Sequence, residues 1–547
     1  MKIRYTHFLW IFFALLYLFS LANFPTYGDS GELLAASIRL GVAHPPGFPL
    51  YVFLGHAFHW LLPGLDGFRV ALLSALCAFF CLQAVMRTLK ALCPDGEIEK
   101  AAICLSVGLL GVATCFWRYA IHIEVISLNA MLFMLCLERC VRVLNEKENR
   151  YRSFVWALLW FSLGVANHHT IIFVFPLLVL AFIEVIPELE WRRILYLCFV
   201  SLSFVFVYLL FALVADPAEP VSWRGFHTLD DIIHVFLRRD YGTFDLGVDE
   251  GGPKQFAAYF SDLWNRCVQD FGPFLFFLPF SFVPLWKAQR KQRRILLGLW
   301  AILFLSTVLF FLRFNVPLSG YMRANALKFY VLPQMVIVII GGYGLAYAAR
   351  LLSMRVRRKV SSQFSIFLVF CLLAFLSLNR FPFMNARDER NLIDYCEQTL
   401  TSLPKDALVV SGSDDVLFGC GVYLQQTKNL RPDLFVFRLP PLYRERRGLA
   451  DLLQSKHFVK GTAFFPVQKD RPWAFALSLL EALPRSRIFL LDAHYGAGAD
   501  YQRLLEEYDL VARFCHLERY LMELGIGKCV VLHIIFPKVF AISYLGK

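Results

Sequence analysis

The sequence has no Cys-x-x-Cys pair, and none of its histidines and cysteines fall at metal-finger spacing. A zinc ribbon or a thioredoxin-type redox site is therefore excluded as the organising feature. No Asn-x-Ser/Thr acceptor occurs anywhere, which favours a bacterial inner membrane over an endoplasmic reticulum for a chain with large outer segments. No stripe of Lys and Arg with interleaved aromatics is present, so the formal net charge of +13 does not point to nucleic acid. No small-residue cleavage site follows the first apolar run, so that run is expected to remain as a span. The chain also lacks internal repeats of the kind that transporters show.

Apolar sequence, by contrast, is abundant. Of 547 residues, 58% are hydrophobic and 16% aromatic, with 55 Phe and a mean hydropathy of +0.54. An ordinary soluble domain holds about 45–50% apolar residues. The 14 cysteines are scattered, and Cys77, Cys81, Cys104, Cys136 and Cys140 sit inside apolar runs as small hydrophobes. The chain reads as a polytopic membrane protein.

Basic clusters end every second apolar run: Lys2 and Arg4; Arg87, Lys90 and Lys100; Arg139 to Arg152; Arg192 and Arg193; Lys287 to Arg294; Arg350 to Lys359. The positive-inside rule puts these in the cytoplasm. The consistent solution has about eleven spans of near-membrane length: 8–24, 68–90, 101–117, 121–142, 153–168, 171–187, 194–214, 271–286, 295–312, 328–349 and 363–379. Phe48–Leu62 is too short to span and fits a helix on the outer surface. The fold class is thus a mainly α polytopic membrane domain over 1–380, with a C-terminal extramembrane α/β domain over 381–547. Ala407–Ser411 and Leu434–Arg438 read as strands around a helical Val416–Gln426, with further strands at Ile488–Leu491 and Val530–Ile535. The Gly412-Ser413-Asp414-Asp415 loop is read as the start of that helix.

This topology gathers the unusual polar residues on one face, the periplasm or its equivalent. Asp29 and Glu32 lie three residues apart where the first apolar run ends, followed by the rigid His44-Pro45-Pro46-Gly47 turn. Acids at a membrane boundary are costly and are usually paired or functional. The alternative is a helix start capped by Asp29 or Ser30. Arg118, His122 and Glu124 cross a tight outer turn, where Arg118 either grips a phosphate with its planar fork or pairs with Glu124. Asn167-His168-His169 sits between two spans, with one histidine facing a ligand. Basic residues in the outer loop, Arg224, Arg238 and Arg239, together with Arg323 and Lys328, run against the charge bias and suit an anionic headgroup or sugar phosphate.

Several stretches in this order resemble the transmembrane protein 260 family of protein O-mannosyltransferases and its bacterial relatives. They are DSGE at 29–32, LGVAHPPGFPLY at 40–51, FWRYAIHIEVISLN at 116–129, LGVANHHT at 163–170, RRDYG at 238–242 and KFYVLP at 328–333. LPKDALVVSGSDD at 403–415 and YLQQTKNLRPDL at 423–434 belong with them, so the resemblance covers about residues 8–440, while Ile126-Ser127 departs from the usual pair. The resemblance implies a GT-C architecture and an inverting glycosyltransferase that takes sugar from a polyprenyl phosphate for a protein or glycan acceptor. Asp29 and Glu32 would be catalytic. His44, Arg118, Glu124, Asn167, His168, His169, Arg238 and Arg239 would bind donor phosphate or substrate. No cofactor is required, and a divalent metal is left open. A lipid-linked sugar flippase and a non-catalytic envelope assembly protein are the competing classes; charge crowded on one face speaks for the enzyme.

Overall fold

The computed structural model describes residues 5–26, 28–93, 96–146, 148–216, 222–223, 225–243, 246–247, 255–283, 290–315, 318, 326–355, 362–403, 405, 408–411, 417–438 and 488–491. Arg224, Arg323, the Gly412–Asp415 loop and the Val530–Ile535 strand of the sequence reading lie outside these residues.

Apolar runs have become helices because the membrane interior leaves backbone groups no other partner. In chain order these are α1 (Tyr5–Ser20), α2 (Ser30–Arg39), α3 (Pro49–Leu61), α4 (Asp66–Leu92), α5 (Glu97–Gly111), α6 (Thr114–Ile121), α7 (Val125–Asn145) and α8 (Arg150–Val165). Among the described residues five helical stretches are long and apolar enough to cross a membrane: Asp66–Leu92, His169–Glu188, Lys291–Arg313, Lys328–Leu352 and Gln363–Met384. Two bent pairs, α5 with α6 at 61° and Trp191–Ser201 with Ser203–Val214 at 40°, bring the count to seven if each is one span. The protein is an integral, multi-pass membrane protein. Many large apolar side chains, among them Phe8, Ile11, Phe206 and Phe375, face outward from the helices, as lipid contact allows.

The chain divides into two compact units. The first holds 1–24, 46–214 and 235–389, and the second holds 25–45, 215–234 and 390–547. In the first, α4, α7 and α8 pack in succession, and the 331–355 helix packs on α5. Polar groups inside it are tied to each other. Glu138, buried in α7, takes Arg87 and Arg142 at 2.9 Å each. Glu184 takes Arg294, with Arg150 at 3.6 Å.

The second unit contains a three-stranded parallel sheet. Leu408–Ser411 lies between Phe435–Arg438 and Ile488–Leu491, with Leu408 opposite Phe435 and Ile488. The 417–428 helix connects the first two strands, as a parallel crossover requires. A disulfide, Cys396–Cys420, joins this helix to the 391–402 helix, with Cα atoms 6.3 Å apart.

Candidate functional site

Asp29 occupies the N-cap position of α2 but has helical dihedrals (φ −72°, ψ −2°), and its side chain does not cap the helix. A capping residue normally sits in the extended region, which aims its oxygen back at the first free amides. Ser30 turns the other way and accepts from the Thr26 amide at 3.1 Å. The helix-cap alternative is therefore not what the acid does. Glu32, one turn on, accepts from both nitrogens His44 offers: the backbone N–H at 2.7 Å and ring Nδ1 at 2.8 Å. The other ring nitrogen, Nε2, lies 3.8 Å from Asp29 Oδ2. The side chains are only 8%, 7% and 15% exposed for Asp29, Glu32 and His44, so little water screens the group.

The loop that carries His44 is clasped from far along the chain. Leu40 ends α2 in the left-handed region, and its carbonyl accepts from the Asp216 amide at 2.9 Å. Val42 donates its amide to Ser222 Oγ at 2.9 Å and accepts from the Trp223 amide at 2.7 Å. Arg39 pairs with Asp216 at 2.9 Å, and the Trp223 ring meets His44 edge-on at 6.1 Å. On its other side α2 presses against the 417–428 helix, so closely that a Cβ on Gly31 would stand 2.6 Å from the Gly419 carbonyl carbon.

The remaining predicted residues belong to the first unit. Arg118 lies near the end of α6, half-buried, and among the described residues it makes no ion pair with Glu124. The helix stops at Ile121, and Glu124 begins α7, where its carbonyl accepts from Ser74 Oγ at 3.3 Å. His122 is buried where the chain leaves α6. Burial raises Glu389 above the usual carboxylate range, with the Arg118 charge opposing.

What fixes α6 is a knot the sequence reading missed. Asp270 accepts from the Thr114 amide and hydroxyl, both at 3.0 Å, so it caps α6 from another element. Arg380 pairs with Asp270 at 3.3 Å and donates to the Val112 carbonyl at 2.6 Å, closing the bend before α6. The only sequence signal was an acid and a base at the ends of apolar runs.

Asn167 is fully buried and donates to the Val125 carbonyl at 3.1 Å, tying the end of α8 to the start of α7. His168 stacks on Phe48 at 6.0 Å and meets Phe329 at 6.1 Å. Its neighbour Thr170, with Asn129, Lys328 and Phe329, lines a small cleft. His169 points elsewhere, edge-on to Phe236 at 5.2 Å. The adjacent histidines thus split apart, as a roughly 100° step per residue predicts. Arg238 lies over the Tyr241 ring at 5.3 Å, and burial lowers its guanidinium below the ordinary value. Arg239 is exposed. Among the described residues no three His, Cys, Asp or Glu side chains converge as metal ligands.

Residues 29–187 match the family described as the protein O-mannosyl-transferase TMEM260 N-terminal domain. Over 436 residues the chain is 27% identical to the protein O-mannosyl-transferase TMEM260 of Mus musculus, covering 74% of this chain and 58% of that one. Over 481 residues it is 25% identical to the tmem260 protein of Dictyostelium discoideum, covering 78% and 56%. The chain therefore spans a little over half the length of these curated relatives. Among solved structures, ArnT from Cupriavidus metallidurans bound to undecaprenyl phosphate aligns at a TM-score of 0.49 and 13% identity, over 76% of this chain and 84% of that one.

Proposed function

We propose that this TMEM260-like chain is a membrane glycosyltransferase that moves a mannose-like hexose from a polyprenyl-phosphate donor to a hydroxyl acceptor, a protein Ser/Thr or an envelope glycan, on the outer face of a bacterial inner membrane. The observation that carries this reading is the Asp29–His44–Glu32 group. Two carboxylates bracket one imidazole in a nearly dry setting, which is an arrangement for moving a proton. In the proposed step, Asp29 removes the acceptor hydroxyl proton as that oxygen forms its bond to the anomeric carbon. The bond from that carbon to the phosphate oxygen breaks in the same displacement, so the configuration inverts. Glu32 holds His44 by Nδ1–H, which leaves Nε2 facing Asp29 to share the abstracted proton. Negative charge grows on the departing polyprenyl phosphate. Arg118 and His168 are assigned to offset it, with Arg238, Arg239 and His169 further along the donor. Glu124 and Asn167 position the turn and helix ends that bear these groups. The eleven-span topology, with 1–380 as the membrane domain and 381–547 outside as an α/β domain, is part of the same proposal.

Asp29→Asn keeps the size of the side chain but cannot take a proton at neutral pH. With mannosyl-phosphoryl-polyprenol and a Ser/Thr peptide, its transfer rate should fall by about 10²–10⁴-fold at matched protein level, the usual worth of a general base. A wild-type rate in Asp29→Asn removes the acid from catalysis. Movement of lipid-linked sugar across vesicles with no glycosylated acceptor in either form would instead support a flippase.

A further inference from the structure

Thr170 presents two groups to one nitrogen of His168. Its backbone N–H lies 3.3 Å from ring Nδ1, and its hydroxyl Oγ1 lies 2.8 Å from the same atom. A backbone N–H can only donate, so Nδ1 accepts and carries no proton when the ring is neutral. Asn129 then fixes the sense of the hydroxyl. Its Nδ2 donates to Thr170 Oγ1 at 2.9 Å, which fills one acceptor position there and leaves the hydroxyl proton for His168 Nδ1. Asn129 and Thr170 are 1% and 9% exposed, so water does not compete readily for these bonds. The ring cannot turn freely either, because Phe48 stacks on it at an interplanar angle of 7°. Phe48 is held in the left-handed region (φ 46°), an unusual state for a bulky residue that surrounding structure must impose.

We propose that Asn129 and Thr170 are positioning residues that lock His168 as its Nε2–H tautomer, so that a hydrogen-bond donor is always presented to the phosphate leaving group. The role in catalysis rests on the transfer reaction proposed above; the tautomer lock itself does not. A histidine without this lock divides itself between two neutral forms, one of which would offer a lone pair to an anion and repel it.

Two measurements separate the parts. The first is the 15N spectrum of ring-labelled histidine in the purified full-length protein, with the His168 signals assigned by their loss in His168→Ala. Wild type should show an unprotonated Nδ1 and a protonated Nε2. Thr170→Val, which keeps the shape and removes the hydroxyl, should show averaging between tautomers, and Thr170→Ser should restore the wild-type pattern. A protonated Nδ1 in wild type, or no change in Thr170→Val, overturns the lock. Asn129→Asp serves if Thr170→Val does not fold, since a carboxylate would draw the Thr170 proton away and should produce the same averaging.

The second is sugar transfer. Loss of one such bond should lower kcat by roughly two- to tenfold at unchanged donor KM, with recovery in Thr170→Ser. The His168→Ala/Thr170→Val double variant should be no slower than His168→Ala alone, because the two act as one unit. Losses that multiply would mean that Thr170 acts through something other than His168. Full activity in His168→Ala would sink the leaving-group assignment while the spectrum still decides the tautomer.

Discussion

The two units are built by different means. In the first, helices pack on one another, α7 against both α4 and α8 and the 331–355 helix against α5, and its surface is rich in outward-facing apolar side chains. The second is sewn from segments far apart in sequence, with α2 packed on the 417–428 helix and the His44 loop clasped by 216–223. The ten free cysteines described all lie in the first unit, whereas the described disulfide lies in the second. At Gly108 in the first unit the near neighbour is a side chain, which can move; at Gly31 in the second, backbone meets backbone, and a change has nowhere to go.

The largest expected effect tests that difference directly. A Cβ on Gly31 would meet the Gly419 backbone at 2.6 Å, while one on Gly108 would meet the Leu373 side chain at 2.5 Å. A leucine methyl can rotate away, but a helix backbone cannot. Gly31→Ala should cost about 3 kcal/mol or more and abolish transfer, whereas Gly108→Ala should cost about 1 kcal/mol and keep most of the activity. Thermal unfolding and limited proteolysis of both variants measure this; equal losses would break the comparison.

Next in size is the disulfide. Closing a loop of 24 residues is worth about 3 kcal/mol in the chain-entropy picture. Cys396→Ser should lower stability by about that amount. Reductant should do the same to wild type and nothing further to the variant. Alkylation followed by intact mass gives the thiol count before and after reduction.

The same contrast governs how much could be read from sequence. Apolar runs and basic clusters located α4, α5, α7, α8 and the 331–355 and 362–384 helices, because a membrane writes its demands locally, whereas the 229–236 and 256–271 helices lie in a stretch read as an outer loop. Asp29, Glu32 and His44 were also visible, since sixteen residues enclose them and a rigid Pro-Pro turn closes the loop. Their arrangement was not: that Glu32 spends both oxygens on His44 depends on the clasp from Asp216 and Ser222. Asp270 and Arg380, which set the bend before α6, sit 156 and 268 positions from the atoms they bind, beyond any periodicity. Among the described residues Arg118 makes no ion pair with Glu124, and α6 ends between them at Ile121. Among the described residues the expected spans at 8–24, 121–142, 153–168 and 271–286 do not meet the length and composition of the other seven: α1 and α8 have 16 residues each, α7 carries Glu138, Arg139 and Arg142, and 272–281 forms short 3-10 turns.

The contact between Gly31 and Gly419 also sets a schedule for synthesis. The two glycines are about 390 residues apart, and a ribosome adds roughly 5–20 residues per second, so α2 waits about 20–80 s for the helix it packs against. Throughout that interval most membrane helices can already be in place while the acidic loop has no backing. An interrupted or truncated chain would thus carry a nearly complete membrane portion and an unfinished proton-handling group. Such a product can insert, yet α2 would lack the helix it packs against.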